Sequence, residues 1–389
     1  MTNPVPDFDE MLDRRGTNSA KWDVAENELP MWVADMDFRT APPIMDALRT
    51  RLEGGVLGYQ IIPEGYAAAV AGWWSRRHGW DVDPAWILFA TGVIPAVSSV
   101  VRTLTAPGEP VVIAPPVYHV FFNSVVNSGR IVLGSDLVRD PATGAYAVDW
   151  ADLEAKLARP DVHLLIWCNP HNPVGRLWTA DELRRLADLA ARHDVVVVSD
   201  EIHCDLTAPG TGYVPFATVG GPGAASSITC VAPTKTFNLA GIQSGSVIVP
   251  DPTLRETIRQ SLNRDEVAEP NAFAVDATIA AYSAGEPWLD ALRDYVWANK
   301  RHAVATINDT IPGMSTTCSD ATYLMWVDIS ALSRDSAAFC QALRTRTGLY
   351  VSDGAQFGGD GAGFLRLNVA CPRARLDDGL DRLRRGATA

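Results

Sequence analysis

The sequence predicts an α/β protein built on a largely parallel sheet, and three observations carry that expectation. Seven short apolar or β-branched runs recur through the middle of the chain, helical stretches fall between several of them, and four of the runs are apolar almost throughout, as strands buried on both faces are. The runs are ILFAT (87–91), VVIA (111–114), RIVL (130–133), HLLIW (163–167), VVVVS (195–199), SITCV (227–231) and SVIV (246–249). VVIA, HLLIW, VVVVS and SVIV are the four apolar ones. The clearest helix is TADELRRLADLAARHD (179–194). It opens with Thr179, Asp181 and Glu182, a capping pattern, and ends in Arg192 and His193, whose charge suits the negative end of a helix dipole.

The flanks read differently. Residues 1 to about 45 are rich in Pro and Asp with little periodicity, and from about 285 a long helical stretch, WLDALRDYVWANKRHAVATI, precedes a strand-like YLMWVDI. The expected organisation is a large domain over 46–284 and a smaller α/β domain formed by 1–45 and 285–389 together. No internal repeat, low-complexity tract or linker interrupts it.

Composition narrows the function. With 389 residues, 47% hydrophobic and 20% charged, the chain is an ordinary globular protein large enough for two domains. Its 33 basic and 46 acidic residues leave a net charge of −13, which repels nucleic acid and anionic membrane surfaces at long range. No run reaches the roughly 18 apolar residues of a membrane span, and MTNPVPDFDEMLDRR carries acids where a secretory signal needs an apolar stretch. A cytoplasmic enzyme with a small-molecule substrate is expected. The six cysteines form no C-x-x-C pair, so neither a zinc ribbon nor a dithiol motif is indicated, and they and the 12 tryptophans read mostly as core residues.

In open α/β sheets ligands bind beyond the carboxyl ends of the strands, and the unusual residues collect there. After ILFAT, GVIPAVSSVVRTL is a glycine turn entering a helix, whose free N–H groups suit a phosphate. PPVYHVFF follows VVIA and brings Tyr118. CNPHNPVGR follows HLLIW, with two Asn-Pro steps. DEIHCD follows VVVVS, and APTKTFNLAG, with Lys235, follows SITCV. DEIHCD suggests a metal, but alternate residues of an extended segment face opposite sides and the sequence shows no second cluster to complete a site, so no metal is expected. Asp200 instead reads as a buried carboxylate facing a cation of a bound cofactor. Pyridoxal 5′-phosphate answers these features together, since it needs a lysine for a Schiff base, a carboxylate at its ring nitrogen, a helix N-terminus for its phosphate, an aromatic ring to stack on and donors to its phenolic oxygen.

CNPHNPVGR, SDEIHCDL, TKTFNLAG, MWVADMDF and GFLRLNVACPR, in that setting, resemble the fold-type I pyridoxal-phosphate enzymes, and within them the MalY/PatB-type cystathionine β-lyases, from about residue 20 onward. The resemblance implies that Lys235 carries the cofactor covalently and that Asp200 keeps its ring nitrogen protonated. It implies that Asn172 and His203 contact the phenolic oxygen, that Tyr118 stacks on the ring, and that Gly92, Val93 and Ile94 form the phosphate turn. Thr234 replaces a hydrogen bond usually made by a serine at the position of Ala232. By the same resemblance Tyr59 would reach the phosphate from a neighbouring subunit, so the protein is expected to be a homodimer with shared active sites. Arg366, with Tyr118 and Asn172, holds the amino-acid substrate. Lys235, Asp200 and Tyr118 form the catalytic group.

The implied reaction is β-elimination from L-cystathionine or a related cysteine S-conjugate, giving a thiol, pyruvate and ammonia. An aminotransferase, a lyase specialised for a bulky S-conjugate and a cofactor-binding regulatory protein are the rivals. Departures from the family pattern at Cys204, Tyr213 and Val214 favour the specialised lyase, and no basic helix-turn-helix stretch supports a regulator.

Overall fold

The computed structural model describes residues 6–387; residues 1–5 and 388–389 of the two expected terminal segments lie outside the described residues. A seven-stranded sheet occupies the middle: β1 (Ile87–Ala90), β2 (Pro110–Ile113), β3 (Ile131–Gly134), β4 (Leu164–Cys168), β5 (Val196–Asp200), β6 (Ile228–Val231) and β7 (Gly245–Ile248). Each lies within one residue of the run that predicts it. The strand order is β1-β7-β6-β5-β4-β2-β3. Only β7 runs antiparallel to its neighbours.

The period-2 alternation of β4 explains how the sheet is covered. Leu164 and Ile166 join one apolar cluster with Val97, Val100 and Val101. Leu165 and Trp167 join another with Leu183, Leu186 and Ala190. The edge strands β1 and β3 are the most exposed, whereas among the other five only Val196, at the start of β5, is partly exposed.

Five helices matter for the site: α1 (Glu64–His78), α2 (Val93–Leu104), α3 (Ala180–Arg192), α4 (Pro233–Thr236) and α5 (Glu286–Thr310). The cap that defines the start of α3 is complete: Glu182 N donates to Thr179 Oγ1 at 3.2 Å and Thr179 N donates to Glu182 Oε2 at 3.0 Å. These two bonds satisfy amides that an uncapped helix leaves open.

A second, antiparallel sheet contains β8 (Ser315–Thr316), β9 (Leu324–Asp328), β10 (Ser352–Asp353) and β11 (Phe364–Asn368), in the order β8-β9-β11-β10. Its apolar face, with Met325, Val327, Leu365 and Leu367, packs with Trp22, Leu29 and Met31 from the start of the chain and Ala303 and Ile307 from α5. Leu29–Pro30 also pairs in parallel with Leu349–Tyr350. Helix α5 spans two cores, because its first half places Leu289, Leu292 and Val296 against Phe8, Trp73 and Phe237.

Of the tryptophans in the WILF, LLIW and LMW runs, Trp167 and Trp326 are buried and Trp86 is half-buried against the core. Five cysteines are buried, Cys318 is exposed, and none forms a disulfide. No helix among the described residues is long and apolar enough to cross a membrane.

Candidate active site

The carboxyl ends of β1, β4, β5 and β6 open into one cavity of about 250 Å³. Nine residues singled out by the sequence line it: Gly92, Val93, Ile94, Tyr118, Asn172, Asp200, His203, Thr234 and Lys235. The fold brings them together because the segments after these strands turn over the same sheet edge.

Asp200 ends β5 and is 3% exposed. Its Oδ1 accepts one hydrogen bond, from Ile202 N at 3.0 Å. Burial raises its pKa to about 7, against a backbone hydrogen bond and the charge of Lys235, which lower it. A carboxylate held this way favours a cation placed beside it.

Lys235 sits in the short helix α4, directly after β6. Its Nζ donates to Ala34 O at 2.6 Å. Burial brings its pKa down to about 8, assisted by the charge of Arg366 and opposed by Asp35 and Asp200. The amine therefore loses its proton far more readily than a surface lysine does.

His203 is buried, and desolvation first, then the charges of Lys235 and Arg366, depress its pKa to about 3. It is neutral at pH 7, and its Nδ1 has no hydrogen-bond partner within the protein. Tyr118 is held protonated chiefly by burial, which raises its pKa.

The opposite end of the cavity is the N-terminus of α2, where Gly92, Val93 and Ile94 present the start of the helix. Gly245 backs this turn so closely that a Cβ there would lie 3.1 Å from Gly92 C and 3.3 Å from Val93 N. The dipole and open amides of such a turn suit an anion. Thr234, Gln243 and Ser244 add neutral polar groups nearby.

Arg366, from β11, reaches Asn172 rather than lining the cavity wall. Its Nη1 donates to Asn172 Oδ1 at 3.1 Å and its Nη2 to Trp32 O at 3.1 Å, while its buried Nε has no partner within the protein. Burial lowers its pKa to about 10, so it remains charged at pH 7. The cavity and its rim thus combine an anion-seeking helix end, a cation-seeking carboxylate, an easily deprotonated lysine and an arginine with donor capacity to spare. This donor set fits pyridoxal phosphate and an amino-acid carboxylate.

Tyr59 stands apart. It is fully exposed, at 101% relative to a free chain, in a loop beyond the cavity.

Two features singled out by the sequence lie outside the cavity lining. Cys204 and Tyr213 face away from the cavity: both are buried, and Tyr213 donates to Glu201, which also accepts from Ser199 Oγ at 2.7 Å and Phe216 N at 2.9 Å. Neither residue is among those that line the cavity. The DEIHCD segment does find a second contributor, since α1 brings His78 within reach of Cys204 and Asp205. Asp205, however, already accepts from His78 Nε2 at 2.9 Å, from Trp73 Nε1 at 3.1 Å and from Thr236 Oγ1 at 3.1 Å.

Sequence reading missed Ala34 and Trp32 as site residues. They act through backbone carbonyls, which no side-chain pattern announces, although their segment, MWVADMDF, stands out as a motif.

The family model described as aminotransferase class I and II matches residues 31–383. Cystathionine beta-lyase PatB of Bacillus subtilis (strain 168) is 44% identical over 97% of this chain and 98% of its own. Protein MalY of Escherichia coli (strain K12) is 35% identical over 96% of this chain and 97% of its own. Among solved structures, cystalysin from Treponema denticola, which contains a pyridoxal 5′-phosphate cofactor, superposes with a TM-score of 0.94 at 32% identity and covers 99% of each chain.

Proposed function

The chain belongs to the aminotransferase class I and II family, and from that premise we propose that it is a pyridoxal-phosphate-dependent carbon–sulfur β-lyase cleaving L-cystathionine or a related cysteine S-conjugate. The observation that carries this reading is the single cavity in which Lys235, Asp200 and the N-terminus of α2 meet. Cystathionine beta-lyase PatB, which matches across almost the whole chain, gives the reading its reaction.

Bound pyridoxal phosphate supplies an electron-withdrawing ring that accepts the electron pair left when the substrate Cα loses its proton. Lys235 would carry the group, Asp200 would hold the proton on its ring nitrogen, Asn172 and His203 would contact its phenolic oxygen, and Tyr118 would stack on it. Gly92, Val93, Ile94 and Thr234 would take the phosphate.

Arg366 holds the substrate carboxylate, with Asn172 and Trp32 fixing the guanidinium. That clamp orients Cα toward the lysine amine, which acts as base once it is neutral. The lowered pKa of Lys235 favours this role, because its amine gives up the proton near pH 8 rather than near the ordinary 10.5. Loss of the Cα proton is followed by breakage of the Cβ–S bond, and the thiolate leaves. The remaining three-carbon amine fragment takes up water and yields pyruvate and ammonia.

The same reading includes a homodimer, supported by the exposed apolar segment around Tyr59, and a cytoplasmic setting, supported by six unpaired cysteines. The deciding assay follows the visible absorbance of the purified protein, then pyruvate and free thiol after addition of L-cystathionine. Equal release of both, abolished in Lys235→Ala, is expected. A visible band with no pyruvate, but with amino transfer to an added keto acid, would make the protein an aminotransferase.

A further inference from the structure

Lys300 lies on α5 and is fully buried, which lowers its pKa to about 7, and its amine is spent on one loop. Nζ donates to Ser319 O at 2.6 Å, Ser319 Oγ at 2.9 Å, Ala321 O at 3.1 Å and Thr322 O at 3.1 Å, and it lies 4.7 Å from the centre of the Trp297 ring. The N–H groups of one amine are thus shared among four oxygens. Such an arrangement holds a loop in one shape, since buried carbonyls left without a donor are costly.

The outer side of that loop is bonded to two segments of the cavity wall. Ala321 N donates to Gly175 O at 2.9 Å, three residues beyond Asn172. Thr322 N donates to Leu206 O at 2.7 Å, three residues beyond His203, and Ala208 N returns a bond to Asp320 O at 2.8 Å. The Gly175 contact leaves no slack, because a Cβ there would lie 2.2 Å from Ser319 Oγ. The chain then continues through Tyr323, whose ring stands edge-on to His203 at 6.3 Å, into β9, where Trp326 pairs with Arg366.

We propose that Lys300 is a positioning residue: its amine fixes the loop 319–322, and the loop in turn fixes the Asn172 and His203 walls of the cavity. The catalytic consequence rests on the lyase reading; the positioning does not.

Lys300→Met removes the amine donor while keeping most of the side-chain length. Hydrogen–deuterium exchange of variant and wild type should show amides in 171–176 and 203–208 losing about tenfold protection together with those of 319–322. In the holoenzyme with L-cystathionine, KM should rise about tenfold while kcat falls less than about threefold, because Asn172 fixes the Arg366 clamp. Exchange confined to 319–322 with KM unchanged would overturn the proposal, even if the variant melts earlier. Should Lys300→Met fail to fold, Lys300→Gln retains a donor and should give the same pattern at smaller size. Exchange is read without reference to turnover, so a wild-type protein that releases no pyruvate from L-cystathionine or any related cysteine S-conjugate would sink the lyase reading while leaving the positioning decided by the amides.

Discussion

Lys235 and Asp200 illustrate how burial tunes two opposite charges at one site. Both lose solvation in the cavity, which disfavours each charged form: the lysine falls to about 8 and the aspartate rises to about 7. Capture of an aldehyde cofactor requires the neutral amine. The cofactor-free protein should therefore take up pyridoxal phosphate faster as pH rises, with a midpoint near 8, as followed by growth of the visible band. A midpoint near the ordinary lysine value of 10.5 would show that the cavity does not tune this amine. The side chains at this scale were legible because each is chemically odd for its place: a lysine after a buried strand, an acid at a strand end, an asparagine between prolines. Ala34 and Trp32 were not, because the carbonyl that Lys235 meets and the carbonyl that holds Arg366 look alike in every sequence.

At the scale of elements, the site depends on where strands stop and α2 begins. Gly245 starts β7 and lies against Gly92 and Val93, so the antiparallel strand acts as a backstop for the turn that would bind phosphate. Gly245→Ala pushes a methyl group against three backbone atoms at 3.1 to 3.3 Å, none of which can rotate away. Cofactor affinity should fall about tenfold, with a stability loss of about 1–3 kcal/mol, read by titrating the visible band and by denaturant melts. Unchanged affinity would mean that this turn does not hold the phosphate. The seven strands were legible since central strands buried on both faces leave apolar runs that no amphipathic helix produces. The reversed direction of β7 was not, because SVIV is equally apolar whichever way it runs. Strands β8 and β10 are two residues long, too short for any period to register.

For the whole molecule, the open question is what covers the segment before α1. Val56, Tyr59 and Ile61 are 75%, 101% and 82% exposed in one loop, and in the proposed homodimer an interface would cover them. If that interface is a two-fold one, each loop meets the other subunit, and Tyr59 of one chain completes the phosphate end of its partner's cavity. Sedimentation should then give twice the 42.0 kDa chain mass. The sharing itself is testable by complementation. Lys235→Ala should abolish activity and Tyr59→Ala should weaken cofactor retention severely, each in its own homodimer. Co-expressed, the two variants form mixed dimers in which one site carries both lesions and the other carries neither. Random pairing makes half of the dimers mixed, so about a quarter of wild-type activity should return. No recovery in isolated mixed dimers would place Tyr59 outside the partner's site, and an active monomer would remove the shared site altogether.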